Sequence, residues 1–378
     1  MARKRNTAPQ TGDLFAPRPA RAERPAEPRP PTPPPEEPLA PLTTQSKRES
    51  LYFDEPFREF EHNGGVHLAD SILWCDADRR HDLCFISHAH ADYIGKNRRI
   101  LATDQTVRIL TRGTGKIDSL TSPYRRSFTL GPLTLEMHPA GHVLGSAQLL
   151  ITRDDRRIVY TSDINTRVTA TAEAAEPIPC DVLAIPATYG LPAYRFPPRE
   201  EVIANIEKFV ADCLEDRATP VLIANQIGTA QELMQILGKA GHRLRVHRSI
   251  YDVAKIYKEH GIDFPGSRRF QGSPARDEVV LFPPILRRHA SIRRLRKYQT
   301  ALVTGRALDE AFVHRHRVDA AFPLSDSADH DELLAFIEAT GASEIYLVGG
   351  HIEEFGETLR ARGHRVYSLV PPQQLSLF

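Results

Sequence analysis

The apolar run Leu83-Cys84-Phe85-Ile86 leads directly into Ser87-His88-Ala89-His90-Ala91-Asp92-Tyr93. This pairing constrains the fold more than any other stretch. A short buried run followed by two histidines two residues apart, and an aspartate two further on, reads as a strand that ends in a loop of metal ligands. Imidazole nitrogen suits zinc, and a nearby carboxylate suits zinc or manganese. The fold must therefore hold a loop rigidly at a strand end and bring further ligands to it from elsewhere.

The rest of the chain supplies such candidates in order. Asp76 closes the run Ile72-Leu73-Trp74-Cys75. Next come Gly141-His142-Val143-Leu144-Gly145-Ser146, Tyr160-Thr161-Ser162-Asp163, Ala187-Thr188-Tyr189-Gly190 and Ser325-Asp326-Ser327-Ala328-Asp329. Leu133 to Met137 alternates as a half-buried strand does. Gln148 to Ile151 and Arg157 to Tyr160 flank Asp154-Asp155, a hairpin signal. Asp181 to Ile185 reads as a buried strand ending near Pro186. From about Pro198 the texture changes. Helical periodicity over Glu200–Leu214 and Gly228–Leu237 alternates with strand-like Pro220–Ala224 and His242–Val246, which implies a parallel sheet. Near Ala301–Gly305 the chain returns to the first domain. A helix over Asp331–Ala339, a strand over Glu344–Val348, a helix over Phe355–Arg362 and a last strand over Val366–Leu369 follow.

The set of motifs, in this order, resembles the β-CASP branch of the metallo-β-lactamase superfamily, most closely the bacterial ligase-associated DNA exonucleases. The resemblance covers about residues 55–370. It implies an α/β fold: a metallo-β-lactamase αββα sandwich (residues 51–191 and 306–370) with an inserted β-CASP domain (192–305). In that family two zinc ions about 3.5–4 Å apart clamp the attacking water and the scissile phosphate. Carried over by motif, His88, His90 and His142 hold the first zinc, with Asp163 bridging. Asp76 supports the ligand loop. Asp92 belongs to the second ion and, in an active enzyme, orients or deprotonates water together with Asp163.

Four family positions are lost. The ligand histidine after Asp92 is Tyr93, and the histidine of the Ser-Asp-His-Ala-Asp motif is Ser327. The acid before Ala-Thr-Tyr-Gly is Pro186. The histidine of a strand ending in His-Gly is Gly349, with His351 two positions late. A neutral tyrosine hydroxyl is a poor zinc ligand and serine a poorer one. Two aspartates alone hold a second ion weakly, which removes half of the charge stabilisation on a phosphate. One zinc ion is therefore expected, with the second in doubt. Tyr93 reads as an aromatic that fills the space of the missing ion. His330 and His351 are the alternatives for substitute ligands.

The flanks carry other information. Residues 1–48 are Pro-rich and charged, and read as a disordered tail. The chain ends Gln373-Gln374-Leu375-Ser376-Leu377-Phe378, which resembles the bacterial sliding-clamp-binding peptide (residues 371–378). Gln374 is the anchor, and Leu375, Leu377 and Phe378 fill an apolar pocket. Gln10 to Phe15 is a weaker match. Arg287, Arg288, Arg293, Arg294, Arg296 and Lys297 form a basic run that reads either as a phosphate-contacting surface or as a solvated helix face. Net charge is only +1, so nucleic-acid binding must come from such a local patch. Four scattered cysteines without C-x-x-C spacing indicate neither a disulfide frame nor a structural zinc site. No apolar run is long enough to span a bilayer, and the basic start lacks an apolar signal-peptide core.

These readings describe a cytoplasmic, nucleoid-associated DNA-processing protein. Its partners would be the sliding clamp, DNA and other repair proteins. The four losses favour a catalytically degenerate DNA-binding or scaffold member over a one-zinc or altered-metal exonuclease. An RNA-processing nuclease is the further alternative.

Overall fold

The computed structural model describes residues 58–90, 97–112 and 115–369. The Pro-rich tail, Gln10–Phe15, Asp92, Tyr93 and the C-terminal peptide lie outside the described residues.

The first sheet takes its strands in chain order: β1 (Phe60–His62), β2 (Val66–Leu68), β3 (Leu73–Cys75), β4 (Leu83–Phe85), β5 (Arg99–Ala102) and β6 (Ser119–Thr121). β1 to β3 are antiparallel, and β3 to β6 run parallel. Helix α1 (Asp104–Thr111) joins β5 to β6, with Thr103 as its side-chain N-cap. A second sheet begins with β7 (Phe128–Leu130), β8 (Leu133–Pro139), β9 (Ala147–Arg153), β10 (Arg156–Tyr160) and β11 (Val182–Ala187). Asp154 and Asp155 turn β9 into β10 at φ 49° and 63°, the left-handed pair that a tight hairpin demands.

The chain then builds a third sheet. Its elements are α2 (Arg199–Glu215), β12 (Thr219–Ala224), α3 (Thr229–Lys239), β13 (Arg243–Val246), α4 (Arg248–Glu259), β14 (Ser267–Arg269), β15 (Glu278–Phe282), α5 (Ala290–Arg293), β16 (Tyr298–Val303), α6 (Glu310–His316) and β17 (Ala320–Phe322). The strand order is β14-β13-β15-β12-β16-β17, parallel throughout. This sheet extends to Phe322, past residue 305, where the sequence pattern places the return. Then α7 (His330–Thr340), β18 (Glu344–Gly350), α8 (Ile352–Ala361) and β19 (Arg365–Ser368) complete the second sheet, in the order β19-β18-β11-β10-β9-β8-β7.

Burial explains why some strands alternate and others do not. Leu133, Leu135 and Met137 of β8 point into the core between the first two sheets, while Thr134 faces out. In β9, Leu149 and Ile151 join that same core, but Leu150 joins the opposite face with Val159, Leu183 and Ile185. There α7 and α8 cover the sheet through Leu333, Phe336, Ile337, Phe355 and Leu359. A strand covered on both faces reads as a continuous apolar run. The outer face of the first sheet (Cys84, Ile86, Ile100) is covered by Ile109 of α1 and by Val253, Ile256 and Tyr257 of α4. The result is helices, sheet, sheet, helices. Because α4 belongs to the third-sheet segment, that segment is packed directly on the first sheet.

Candidate metal centre

β3 and β4 lie side by side and parallel, so their carboxyl ends deliver Asp76 and the 87–90 loop to one place. Asp76 is turned back into the fold at φ 44°. Its Oδ1 accepts the Ser87 backbone N–H at 2.9 Å, and its Oδ2 accepts the Tyr160 hydroxyl at 2.9 Å. Burial raises its pKa, and the hydrogen bonds from Ser87 and Tyr160 oppose that shift by favouring the carboxylate. Ser87 Oγ in turn lies 2.8 Å from His88 Nδ1. Asp76 thus fixes the start of the ligand loop through the backbone.

His88, His90 and His142 converge: their potential ligand nitrogens all lie within 4.8 Å of one another. His90 Nε2 donates to the Ile227 carbonyl at 2.8 Å, and His142 Nδ1 donates to the Asp326 carbonyl at 2.8 Å. The remaining nitrogens, His90 Nδ1 and His142 Nε2, face each other at 2.9 Å. In neutral rings both of these carry lone pairs, which repel at that distance unless a cation, either a proton or a metal ion, is shared between them. Metal-bound histidines commonly tie the other ring nitrogen to a carbonyl in this way. The donor set therefore fits a divalent ion of the zinc type. Burial first, and then the neighbouring imidazoles, push His88 well below the usual imidazole range. Burial, followed by His142, lowers His90. The structure favours the neutral, ligating form of both.

His88 and His90 open on a cavity of about 400 Å³ whose walls also include Asp76, Asp163, Pro186 and Gly349. Asp163 is half-buried on this wall, with Oδ1 accepting from Thr188 Oγ1 at 2.9 Å. Its carboxylate is not among the converging ligand atoms. Pro186 is the next-to-last residue of β11, which ends at Ala187 across a register shift between Ile185 and Ala187. Gly349 and Gly350 both have positive φ, 70° and 78°. A Cβ on Gly350 would fall 2.3 Å from the Ala187 backbone, so this wall is shaped around glycine. Ser327 Oγ lies 3.3 Å from His142 Nδ1. That is the outer nitrogen of the ring, so the serine supports His142 from behind.

Neither candidate substitute histidine reaches the cluster. His330 is buried, donates from Nδ1 to the Gly190 carbonyl at 2.8 Å and meets the Phe355 ring edge-on. His351 precedes α8 and leans on Tyr194 with ring centroids 5.7 Å apart. Asp92 and Tyr93 lie outside the described residues.

Sequence reasoning missed two contributions. The β12–α3 connection supplies the Ile227 carbonyl to His90. Next to it, Thr229 donates from N (3.2 Å) and Oγ1 (2.8 Å) to Asp326 Oδ2. Gly228 is the signal that could have shown this: at φ +88° a Cβ there would strike Asp326 Oδ2 at 2.5 Å. The second is His62, which lines the same cavity as Asp163, with Asp78 near it. No spacing rule connects it to the ligand loop.

The basic run is not a helix face. It follows the 3₁₀ turn Pro284–Leu286 and holds only the four-residue α5, and Ile292 is buried in the core under the third sheet. Arg288, Arg293, Arg294 and Arg296 are all exposed. Arg287 is half-buried and bonded to the Pro284 carbonyl, and Lys297 donates to the Asp216 carbonyl at 2.8 Å.

With this geometry in view, the chain is similar to a segment of a probable DNA ligase of Opitutus terrae. The two are 33% identical over 322 residues, which is 84% of this chain and 32% of that protein. It is also similar to an RNase J-like protein of Methanocaldococcus jannaschii (27% over 186 residues, 42% of this chain and 44% of that protein). A third relative is endoribonuclease YSH1 of Gibberella zeae (31% over 117 residues, 30% of this chain and 14% of that protein). The likeness supports the β-CASP metallo-β-lactamase superfamily. It does not choose a branch. The chain spans about a third of the length of the DNA ligase that it matches. No family model matches the chain. A solved structure of a protein of unknown function from Enterococcus faecalis V583 shares the fold, with TM-score 0.53 at 13% identity over 76% of this chain and 79% of that one. Among the described residues no helix is long and apolar enough to cross a membrane.

Proposed function

We propose that this chain is a DNA-directed member of the superfamily that holds one metal ion at His88, His90 and His142 and has lost efficient two-metal phosphodiester hydrolysis. The observation that carries the reading is the contrast between the histidine triad and the residues at the other family positions. His90 and His142 are each tied outward to a backbone carbonyl, while Ser327 lies behind His142 and Gly349 belongs to a backbone shaped for glycine. A divalent ion in the triad would supply Lewis-acid charge to a phosphate oxygen. The chain's own part is to orient the imidazoles through Ile227 and Asp326, to hold the loop through Asp76, and to offer Asp163 on the cavity wall. The inserted third sheet corresponds in this reading to a β-CASP domain over the nucleic-acid path.

DNA is favoured over RNA because the relative that covers 84% of this chain is a probable DNA ligase, whereas those named as RNA-cleaving cover less than half. The C-terminal Gln374, Leu375, Leu377 and Phe378 fit recruitment by a sliding clamp. A second reading, a one-zinc exonuclease, draws support from the complete histidine triad and the intact Asp76–Ser87–Tyr160 bonds.

The test pairs elemental analysis of purified protein with a nuclease assay in Zn²⁺ or Mn²⁺ on single- and double-stranded DNA, using His88→Ala as control. One ion per chain with no cleavage above that control is the expected result. Cleavage lost in His88→Ala establishes the exonuclease, and two tightly held ions overturn the one-metal reading. Removing Gln374 to Phe378 should abolish capture on immobilised clamp, and retained capture overturns the peptide's role.

A further inference from the structure

The third sheet is parallel, and its adjacent strands end in register. Ile223 of β12 pairs with Phe282 of β15, Leu281 of β15 with Val246 of β13, and Val246 with Arg269 of β14. In open parallel sheets ligands bind in the crevice outside the carboxyl ends of the strands. At this edge the residues that follow are Ile227, the support of His90, then the Pro283–His289 connection, His247 and Phe270. Neighbouring strands lie about 4.8 Å apart, so His247 stands two strand steps, about 10 Å, along the edge from the end of β12.

The side chains gathered here are donors. His247 and His289 lie with ring centroids 6.5 Å apart, and both pack on Phe282, at 4.9 and 5.9 Å. Each caps a helix: Nδ1 accepts the backbone N–H of Ser249 or Ser291, at 3.2 Å in both cases. A backbone N–H can only donate, so in each neutral ring the proton sits on Nε2, which becomes an outward donor. Arg269 is exposed. Burial first, then His289 and the Arg269 charge, push His247 below the usual imidazole range, which reports their proximity. Arg287, in the same connection as His289, has a buried Nε with no partner among the described residues. Asp252, on the second turn of α4, is already shared by Arg248 and Lys255. His247 and His289 stand 6.5 Å apart with Arg269 near enough to act on His247, a set of donors that suits an oxyanion.

We propose that His247, His289, Arg269 and Arg287 form a phosphate-binding subsite at the carboxyl edge of the third sheet, holding the backbone of a nucleic-acid strand that enters the metal cavity. The subsite rests on the nucleic-acid reading above but does not require hydrolysis. It assigns the strand a direction of approach, across β13 and β15 toward Ile227, and it gives the half-buried end of the basic run a function separate from that of Arg293, Arg294 and Arg296.

The experiment measures binding of the full-length protein to short fluorescein-labelled single strands, one DNA and one RNA of equal sequence, by fluorescence polarisation in EDTA across a salt series. Arg269→Ala should weaken binding about tenfold, the worth of one charge-assisted hydrogen bond, and should lower the salt slope by about 0.7. The double variant His247→Asn/His289→Asn keeps side-chain caps and removes only neutral donors. It should weaken binding with the salt slope unchanged. Arg98→Ala, on the first sheet, should change neither. Wild-type affinity and slope in both the Arg269 and the double-histidine variants, at unchanged melting temperature, overturn the subsite. A wild-type protein that binds neither strand overturns it together with the nucleic-acid reading. Binding that depends on these residues in a protein without nuclease activity leaves the subsite standing and refutes only the hydrolytic alternative. Unequal binding of the two strands tells which nucleic acid it serves.

Discussion

The two sides of the metal cavity are built to different standards. On the triad side every side chain is held from behind: His88 by Ser87, His90 by Ile227, His142 by Asp326 and Ser327, and the loop by Asp76. On the opposite side stand Pro186, which offers no side-chain donor or acceptor, and Gly349, where an added Cβ would meet nothing within 4 Å. Support of the first kind costs buried polar groups, which are tolerated only when they are paired. On the opposite wall the paired polar side chain is Asp163, which accepts from Thr188 Oγ1 at 2.9 Å.

The largest effect that would break this comparison is loss of the triad. His142→Ala should reduce bound zinc from one per chain to none, read by elemental analysis after gel filtration; full retention would mean that the ligands lie elsewhere. Next in size, Asp76→Ala leaves the Ser87 N–H and Tyr160 hydroxyl without their acceptor. A drop in zinc affinity of about 10–100-fold and a stability loss of about 1–3 kcal/mol are expected, measured by competition with a chelating dye and by urea denaturation. An unchanged zinc affinity would reduce Asp76 to a structural residue.

A smaller effect concerns pH. The folded-state pKa values of His88 and His90 are depressed, so below about pH 6.5 the unfolded chain takes up protons that the folded apoprotein refuses. Stability is fully present above that pH and falls as the pH drops through it, by up to about 1.4 kcal/mol for each unit of pKa depression. Melting temperatures in EDTA should therefore rise with pH over this window, and the slope should shrink in His88→Ala. A flat profile in the wild type contradicts the buried, neutral triad. The smallest expected effect is Ser327→His. Because Ser327 stands behind His142, a histidine there should leave the metal count at one, and a count of two would erase the difference between the sides.

Much of the site is legible in the sequence because ligand chemistry is local. His88 and His90 follow one strand, Asp76 ends its neighbour, and the strand spans at 133–139, 147–153 and 156–160 carry their own alternation or turn signals. The Asp154-Asp155 hairpin adopts the backbone that its residues favour. The departure is also local. The basic run has the composition of a solvated helix face, yet it holds only the four-residue α5, whose Ile292 is buried in the core.

The sequence alone therefore determined the class of chemistry: which residues can ligate and where the strands that carry them end, since each depends on residue type and near-neighbour spacing. Tertiary structure alone decided the outward partners. The Ile227 carbonyl is 137 residues from His90, and the Asp326 carbonyl is 184 residues from His142. Backbone carbonyls carry no residue signature, so only the docking of the third sheet on the first could reveal that these two orient the triad. The same sheet gathers His247, His289 and Arg269 on one edge from three separate strand ends, an arrangement set by parallel register and invisible to spacing along the chain.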